Sequence, residues 1–553
     1  MAGLFQKSIA LLTRRQTNII SAAFVVMATL LLSQFLGLIR ERLMFAQFGG
    51  ARTGLYLVAS KLPDAIFQLI IAGALSSAFI PVFTDFLTRN EEKEAYKMAS
   101  TLLSISMILF SIVSIILFAF PEFFLHLLNP GSGFSTDQIA LMASLMRIII
   151  VGELLFILGS FLTAILQSYN HFFIPGIAAA LYNLGIVMGI VLFGSRFGIF
   201  SAVYGVLIGA AIFVLMQIPM AKKVGFSFFP SLAIKTKGVP EVLRLMLPRT
   251  VAIGVTQLSA IAILGLVSFL ANAGRNYAIL NYAQTLMFAP VVLFGQTIAQ
   301  ASLPILSREK DKPELFRATF STSFTQTLYL VLPISALFLV LRIPVVRLVF
   351  GAGQFDWQAT VATGNTLAYF SLSIFAQALI YLVSRGFYAL HDTKTPLIVN
   401  SLGLVITILV GALLVLNFHQ GIEALALSYS IGYIVYLVVL LYFLDRKVKG
   451  LARTPLLFSS TKILLATLCA GFALYIPIKL LDQLVFDTTH TINLLLLTGI
   501  SSLAGLMLYL FLTWLFDVKE AMMFILLFKK IGNWREILGI RSEMIEPHVN
   551  QNL

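Results

Sequence analysis

The densest group of ionisable and amide side chains inside long apolar runs is Gln34, Arg40, Glu41, Lys61, Asp64 and Gln68. A charge at the centre of a membrane helix costs roughly 2.5–3.5 kcal/mol on insertion scales, so such residues face protein or water and point to a ligand path. Lys61 and Asp64 are three apart and share a helix face. They read either as a local ion pair reaching the surface or as a cation facing a cavity for an anionic headgroup. Arg40-Glu41-Arg42 directly follows an apolar run, as a solvated turn or as part of the same cationic site. Arg52, Arg147 and Gln284 complete the cavity candidates. Arg147 and Glu153 lie six apart, share no face closely, and are each expected to pair with another helix.

The chemistry of an enzyme is missing. No GxxxxGK[ST] phosphate loop, no HExxH and no GxSxG with plausible partners occurs. An intramembrane glycosyl or acyl transferase would need convergent acids or a histidine at the lipid–water boundary, and His126 is the only isolated candidate. The single cysteine, Cys469, gives no disulfide framework, and none of the six histidines forms a ligand-spaced pair, so no metal and no cofactor is expected. A transporter is the expectation, driven by the membrane potential, a monovalent ion or the imbalance of its substrate.

These side chains must be positioned by membrane helices. Of 553 residues, 59% are hydrophobic and 11% charged, and the mean hydropathy is +0.95. Soluble domains carry about 25% charged residues. Apolar runs long enough for a bilayer core recur along the chain. Fourteen spans are expected near 19–39, 56–81, 98–120, 141–166, 174–194, 201–221, 247–271, 277–303, 319–341, 360–384, 396–417, 422–444, 463–481 and 493–516. The net charge of +14 sorts by loop rather than pointing to nucleic acid. Lys and Arg crowd 1–18, 85–97, 222–240, 308–317, 445–453 and the tail, whereas 121–140 and 482–492 have none. The positive-inside rule then makes both termini cytoplasmic.

The plan runs twice. Ile80-Pro81 returns as Leu303-Pro304, Asn129-Pro130-Gly131 with Phe134 as Phe350-Gly351-Ala352 with Phe355, Pro175 as Pro396, and Ile208-Gly209 as Ile431-Gly432, with offsets of 223, 221, 221 and 223. The expected fold is all-α and polytopic, with two parallel six-helix repeats. After a cytoplasmic segment 1–18, an N-lobe at 19–221 and a C-lobe at 247–444 are joined by a cytoplasmic linker at 222–246. An extra hairpin at 463–516 and a cytoplasmic tail at 517–553 follow, the tail helix near 518–531 being too short to span and expected at the headgroup level. Parallel repeats suit a transporter whose halves rock about a central site. Pro63 and Pro81 in the second span, Pro290 and Pro304 in the eighth, and Gly73 are the hinge candidates. Gln257, Asn272, Gln284, Gln296, Gln300, Asn365 and Gln377 are expected to serve mainly in interhelical packing.

Leu36-Gly37-Leu38-Ile39-Arg40-Glu41, Phe48-Gly49-Gly50, Lys61-Leu62-Pro63 and 73–81 (GALSSAFIP) together resemble the MurJ (MviN) family of lipid II flippases, within the multidrug/oligosaccharidyl-lipid/polysaccharide exporter superfamily. Residues 386–396 (GFYALHDTKTP) resemble that family's turn before span eleven. The resemblance covers most of 20–516. It implies alternating access that carries a polyprenyl-pyrophosphate-linked sugar from the inner to the outer leaflet of a bacterial cytoplasmic membrane for cell-wall synthesis. The head would enter a cationic cavity while the polyprenyl tail stays among membrane lipids beside 463–516. It further implies a monomer, with cell-wall synthesis proteins as possible partners. The alternative is a relative moving another polyprenyl-linked oligosaccharide or a drug. The family typically carries a polar or basic residue at Gln34, and the chain departs from it where arginines are expected, at Phe67, Gln68 and near Thr285, and where acids are expected, near Gly54, at Ala72 and near Phe288. No carboxylate lies within 245–271, which leaves a sodium site in span seven unsupported.

Overall fold

A single backbone break turns the first helix into two spans. In the computed structural model, which describes residues 19–72, 75–451, 453–481 and 490–521, α1 (Ile19–Phe67) runs for 49 residues. At 1.5 Å per residue that is roughly 70 Å, more than twice a bilayer core. Gly49 interrupts it with φ 72° and ψ 165°, outside helical geometry. Only glycine adopts that region freely, and a Cβ there would also stand 2.7 Å from Gln354 Oε1.

The helices that follow are α2 (Ile80–Thr88), α3 (Glu92–Ala119), α4 (Pro121–Leu127), α5 (Thr136–Ser168), α6 (Phe173–Phe197), α7 (Phe200–Leu215) and α8 (Ile218–Lys223). Next come α9 (Val239–Val267), α10 (Ala273–Pro290), α11 (Thr297–Arg308), α12 (Pro313–Val340), α13 (Arg342–Phe350), α14 (Trp357–Ser371) and α15 (Ile374–Ala389). The chain closes on α16 (Lys394–Ala412), α17 (Ile422–Lys447), α18 (Arg453–Leu481) and α19 (Thr491–Leu515). Among the described residues twelve helices are long and apolar enough to cross a membrane, and the bent pair α14–α15 makes thirteen. One of the twelve, Val25–Ile71, is the helix broken at Gly49, so the expected fourteen crossings are present.

Helix ends repeat with a fixed shift. α3 returns as α12, and α5 returns as α14 plus α15, both ends displaced by 221 residues. The short α4 and α13 start 221 apart, as do α6 and α16. The copies are not identical: α7 and α8 correspond to the single helix α17 (Ile422–Lys447), and span ten departs from its counterpart α5. Span ten, expected as a continuous 360–384, is bent by 43° between α14 and α15. Ser371 and Ser373 explain the break, because their hydroxyls donate to the carbonyls of Ala368 at 2.6 Å and Phe370 at 3.0 Å, competing with regular helix.

Irregular turns also recur. π-helical segments occupy Gln68–Ala72 and Leu75–Phe79 in span two, Val291–Gln296 in span eight and Leu413–Asn417 in span eleven, the first and third starting 223 residues apart. Such segments accompany functional bends in helices. Of the hinge candidates, Pro63 is inside α1, Pro81 opens α2, Pro290 directly precedes the third π segment and Pro304 is inside α11. Gly73 lies outside the described residues, as do 1–18 and 522–553.

Contacts gather the chain into two compact units. One comprises Met1–Thr285, Val346–Thr366 and Ser401–Gly432, the other Leu286–Val345, Leu367–Asn400 and Tyr433–Leu553. These units do not follow the 19–221 and 247–444 boundaries, because residues 239–285, 346–366 and 401–432 join the first six spans. In lipid the hydrophobic effect gives little drive for helix association, so close approach of small residues must supply it. α6 and α7 show this in the first unit. Gly185 and Gly189 meet Gly209 and Gly205, where an added Cβ would lie 2.5 Å from the opposing Cα in each case. In the second unit the α18–α19 hairpin is tied to α12: Tyr509 Oη donates to the Tyr329 carbonyl at 2.7 Å, and Thr325 hydrogen-bonds Glu520.

Candidate functional site

Two adjoining cavities lie within the first unit. The smaller, about 230 Å³, is lined by Arg40, Glu41, Tyr56, Ser60 and Asp64 from α1, Glu153 from α5, Tyr182 from α6 and Tyr282 from α10. The larger, about 310 Å³, is lined by Ser33, Gln34 and Gly37 from α1, Phe156, Asn183 and Thr285. Arg40, Glu41 and Tyr182 border both.

Arg40 is the cation at this junction. Its Nη1 donates to Asn183 Oδ1 at 2.9 Å, and its Nη2 stands 3.6 Å from Glu41 Oε1. Its side chain keeps 28% of its surface exposed, so a ligand can reach it. The turn reading fails for Glu41, whose Oε2 is buried without a hydrogen-bond partner. It fails for Arg42 as well, whose guanidinium is spent on the carbonyls of Leu348, Val349 and Gly351 at 3.0–3.3 Å. Asp64 is not in ion-pair contact with Lys61, although the Lys61 charge acts on it; its carboxyl meets Ser60 and Glu153.

The other cavity candidates go elsewhere. Arg52 is exposed on α1 and lines neither cavity. Lys61 also lines neither. Gln68 accepts a hydrogen bond from Gln257 Nε2 at 3.0 Å, and Gln284 pairs with Tyr429. Arg147 donates to the Phe118 carbonyl at 3.1 Å and lies over the Phe118 ring, securing the end of α3. That is the bonding a long cation adopts when a helix end offers unpaired carbonyls. Asn183, Tyr56, Tyr182, Tyr282, Ser33 and Glu153 line the site and were not among the candidates. Asn183 and Glu153 carried the clearest signal, being polar residues at mid-span depth.

A tight contact closes one end of this unit. Arg275 grips Asp356 through both carboxylate oxygens at 2.8 and 3.0 Å. Gln354 binds the Ala46 and Gln47 carbonyls at 2.8 and 2.7 Å through its backbone and side-chain nitrogens. Gly54 presses on Gly274 so closely that a Cβ would stand 1.7 Å from the Gly274 carbonyl oxygen. Tyr282 Oη donates to the Glu41 carbonyl at 2.7 Å and joins this closure to the cavity.

The family model described as "Lipid II flippase MurJ" matches residues 44–527 of this sequence. The chain belongs to the MurJ family. It is 25% identical over 470 residues to a probable lipid II flippase MurJ of Buchnera aphidicola from Acyrthosiphon pisum, covering 84% of this chain and 91% of that one. It is 28% identical over 450 residues to the lipid II flippase MurJ of Burkholderia cenocepacia, covering 78% and 85%. A solved lipid II flippase MurJ in an inward closed conformation has the same fold, with a TM-score of 0.73 at 24% identity over 89% of this chain and 98% of that one. Phe67, Gln68 and Thr285, where the resemblance leads to an expectation of arginine, have local partners. Phe67 packs edge-on against Phe156 at 5.3 Å, and Gln68 is held in its amide pair with Gln257. Thr285 lines the larger cavity, bonded to its own helix at Asn281.

Proposed function

We propose that this protein is a flippase, not an enzyme, and that it moves the lipid-linked peptidoglycan precursor lipid II from the inner to the outer leaflet of the cytoplasmic membrane. The observation that carries the reading is Arg40, a partly exposed guanidinium at membrane depth beside two joined cavities. A pyrophosphate offers paired oxygens, which a guanidinium meets with two parallel charge-assisted hydrogen bonds. Asn183 and Ser33 add neutral hydrogen-bonding groups on the same wall. The cavities are small against a disaccharide-peptide head, so they receive the pyrophosphate end while the polyprenyl tail stays in lipid.

The distribution of Lys and Arg supports both termini in the cytoplasm, with 222–240 inside and 121–140 outside. In that orientation the Arg275–Asp356 and Gly54–Gly274 contacts form an outer gate, which must part for release of the head. The membrane potential, the supply of substrate or an ion supplies the direction. Depletion of the protein in growing cells tests the reading. Lipid II should then accumulate on the cytoplasmic side, protected from externally added modifying enzymes. Precursor that remained accessible outside would remove it.

A further inference from the structure

Three carboxyl groups, those of Glu41, Asp64 and Glu153, line the smaller cavity against one lining cation, Arg40. Recognition of an anionic head has no use for this excess of acid. Asp64 comes from α1 and Glu153 from α5, and their carboxyls meet within hydrogen-bond reach. Neither is in an ion pair among the described residues. Glu153 is only 7% exposed, it lines the cavity, and its Oε2 has no hydrogen-bond partner.

An ionised carboxylate only accepts hydrogen bonds. Two of them in contact are satisfied when one carries a proton and donates it to the other. Ser60 bonds Asp64, and Arg40 and Lys61 lie near it, but among the described residues nothing bonds Glu153 Oε2. Arg40, Glu41, Tyr56 and Lys61 face the pair from α1, Tyr182 from α6, and Tyr277 and Tyr282 from α10, with Ile149 and Val206 closing the remaining walls. Among the described residues no three Asp, Glu, His or Cys side chains converge as ligands for a metal ion. A cavity of about 230 Å³ has room for several waters to deliver a proton, since each occupies about 30 Å³ of liquid.

We propose that Asp64 and Glu153 form a proton-binding site whose occupancy is linked to headgroup binding at Arg40. The proton comes from cavity water and forms an O–H bond on one carboxyl, removing one negative charge from the wall. An anionic head beside Arg40 adds negative charge, so head and proton favour one another, and the linkage is reciprocal. The linkage rests on the flippase reading; the proton site does not.

Infrared difference spectra of the purified full chain in lipid nanodiscs, recorded across a pH titration, test the site without any substrate. A protonated-carboxyl C=O band should titrate in the native protein and be lost in both Asp64→Asn and Glu153→Gln. Glu153→Asp, which keeps the carboxyl, should retain a shifted band and serves as the check on folding. Absence of the band from the native protein at every pH, or its persistence in both amide variants, overturns the site. Loss of the band when sodium replaces choline at fixed pH assigns the pair to sodium and overturns it too. With the band established, lipid II should bind more tightly as pH falls through its titration, and Glu153→Gln should abolish that dependence. Binding that is pH-independent in the native protein overturns the linkage. No lipid II binding at any pH sinks the flippase reading while the proton site stands.

Discussion

Arg40 is held to Asn183 by a 2.9 Å hydrogen bond, and the Asn183 amide itself donates to the Ser33 carbonyl and hydroxyl at 3.2 Å. Span one is therefore fastened to span five at the point where the two cavities meet. The amide cannot rotate without losing both Ser33 contacts, so it presents its oxygen to the guanidinium. The cation is aimed before any ligand arrives, which lowers the ordering cost of binding.

Removal of this cation should weaken headgroup binding strongly. A hydrogen bond to a charged group contributes about 1.5–3 kcal/mol, so Arg40→Ala should lower lipid II affinity by about 10- to 100-fold. Asn183→Leu keeps the charge but frees its direction, and its loss should stay below about 10-fold. Binding to nanodisc-embedded protein measures both, and unchanged affinity in Arg40→Ala would take Arg40 out of the site.

The Gly54–Gly274 contact leaves no room for a methyl group, the opposing atom being backbone carbonyl oxygen. Gly54→Ala should therefore push that end of the first unit apart. Maleimide labelling of a cysteine placed at Leu55, which is buried against Gly274, in a background lacking the exposed native Cys469, should rise several-fold in Gly54→Ala. Equal labelling would show that the contact does not hold the gate.

Gly189 of α6 meets Gly205 of α7 across a similar backbone contact. Gly189→Leu overpacks this interface, a change that costs typically 1–3 kcal/mol. Its thermal midpoint in detergent should drop by several degrees, whereas Gly471→Leu, where no atom lies within 4 Å of an added Cβ, should leave it nearly unchanged.

Asp392, in the turn before α16, supplies a pH signature outside the membrane spans. Partial burial alone would raise its carboxyl, but hydrogen bonds from Lys447 at 2.5 Å and from Thr395 outweigh that and hold it down to about 2. A group depressed in the folded state stabilises above its unfolded value of about 3.9, and the contribution disappears as pH falls through the folded value. Stability should accordingly decline between about pH 4 and about pH 2 in the native protein. Asp392→Asn should be less stable at neutral pH and lose this part of the acid sensitivity, as followed by thermal unfolding at each pH.

The spans, the tandem repeat and the placement of Arg40 at membrane depth were legible because hydropathy, Gly-Pro punctuation and charge at depth are local signals. The repeat reached to the helix ends, as the shared shift of 221 residues between α3 and α12 shows. Partnerships were not legible. Glu153 and Asp64 lie 89 positions apart and meet only because α5 lies against span two. Arg147 looked like a cavity cation because sequence gives its depth but not its direction, and the unpaired carbonyl of Phe118 decides that. The break in span ten came from Ser371 and Ser373, whose competing hydroxyls leave hydropathy almost unaltered.

Translocation in vesicles tests the central claim most directly. Purified protein reconstituted with labelled lipid II in the inner leaflet should expose the label to an external reagent, and Arg40→Ala should slow the appearance by about 10-fold or more, in line with a lost charge-assisted hydrogen bond. Label that appears no faster than in protein-free vesicles, or as fast with Arg40→Ala as with the native chain, would contradict the account.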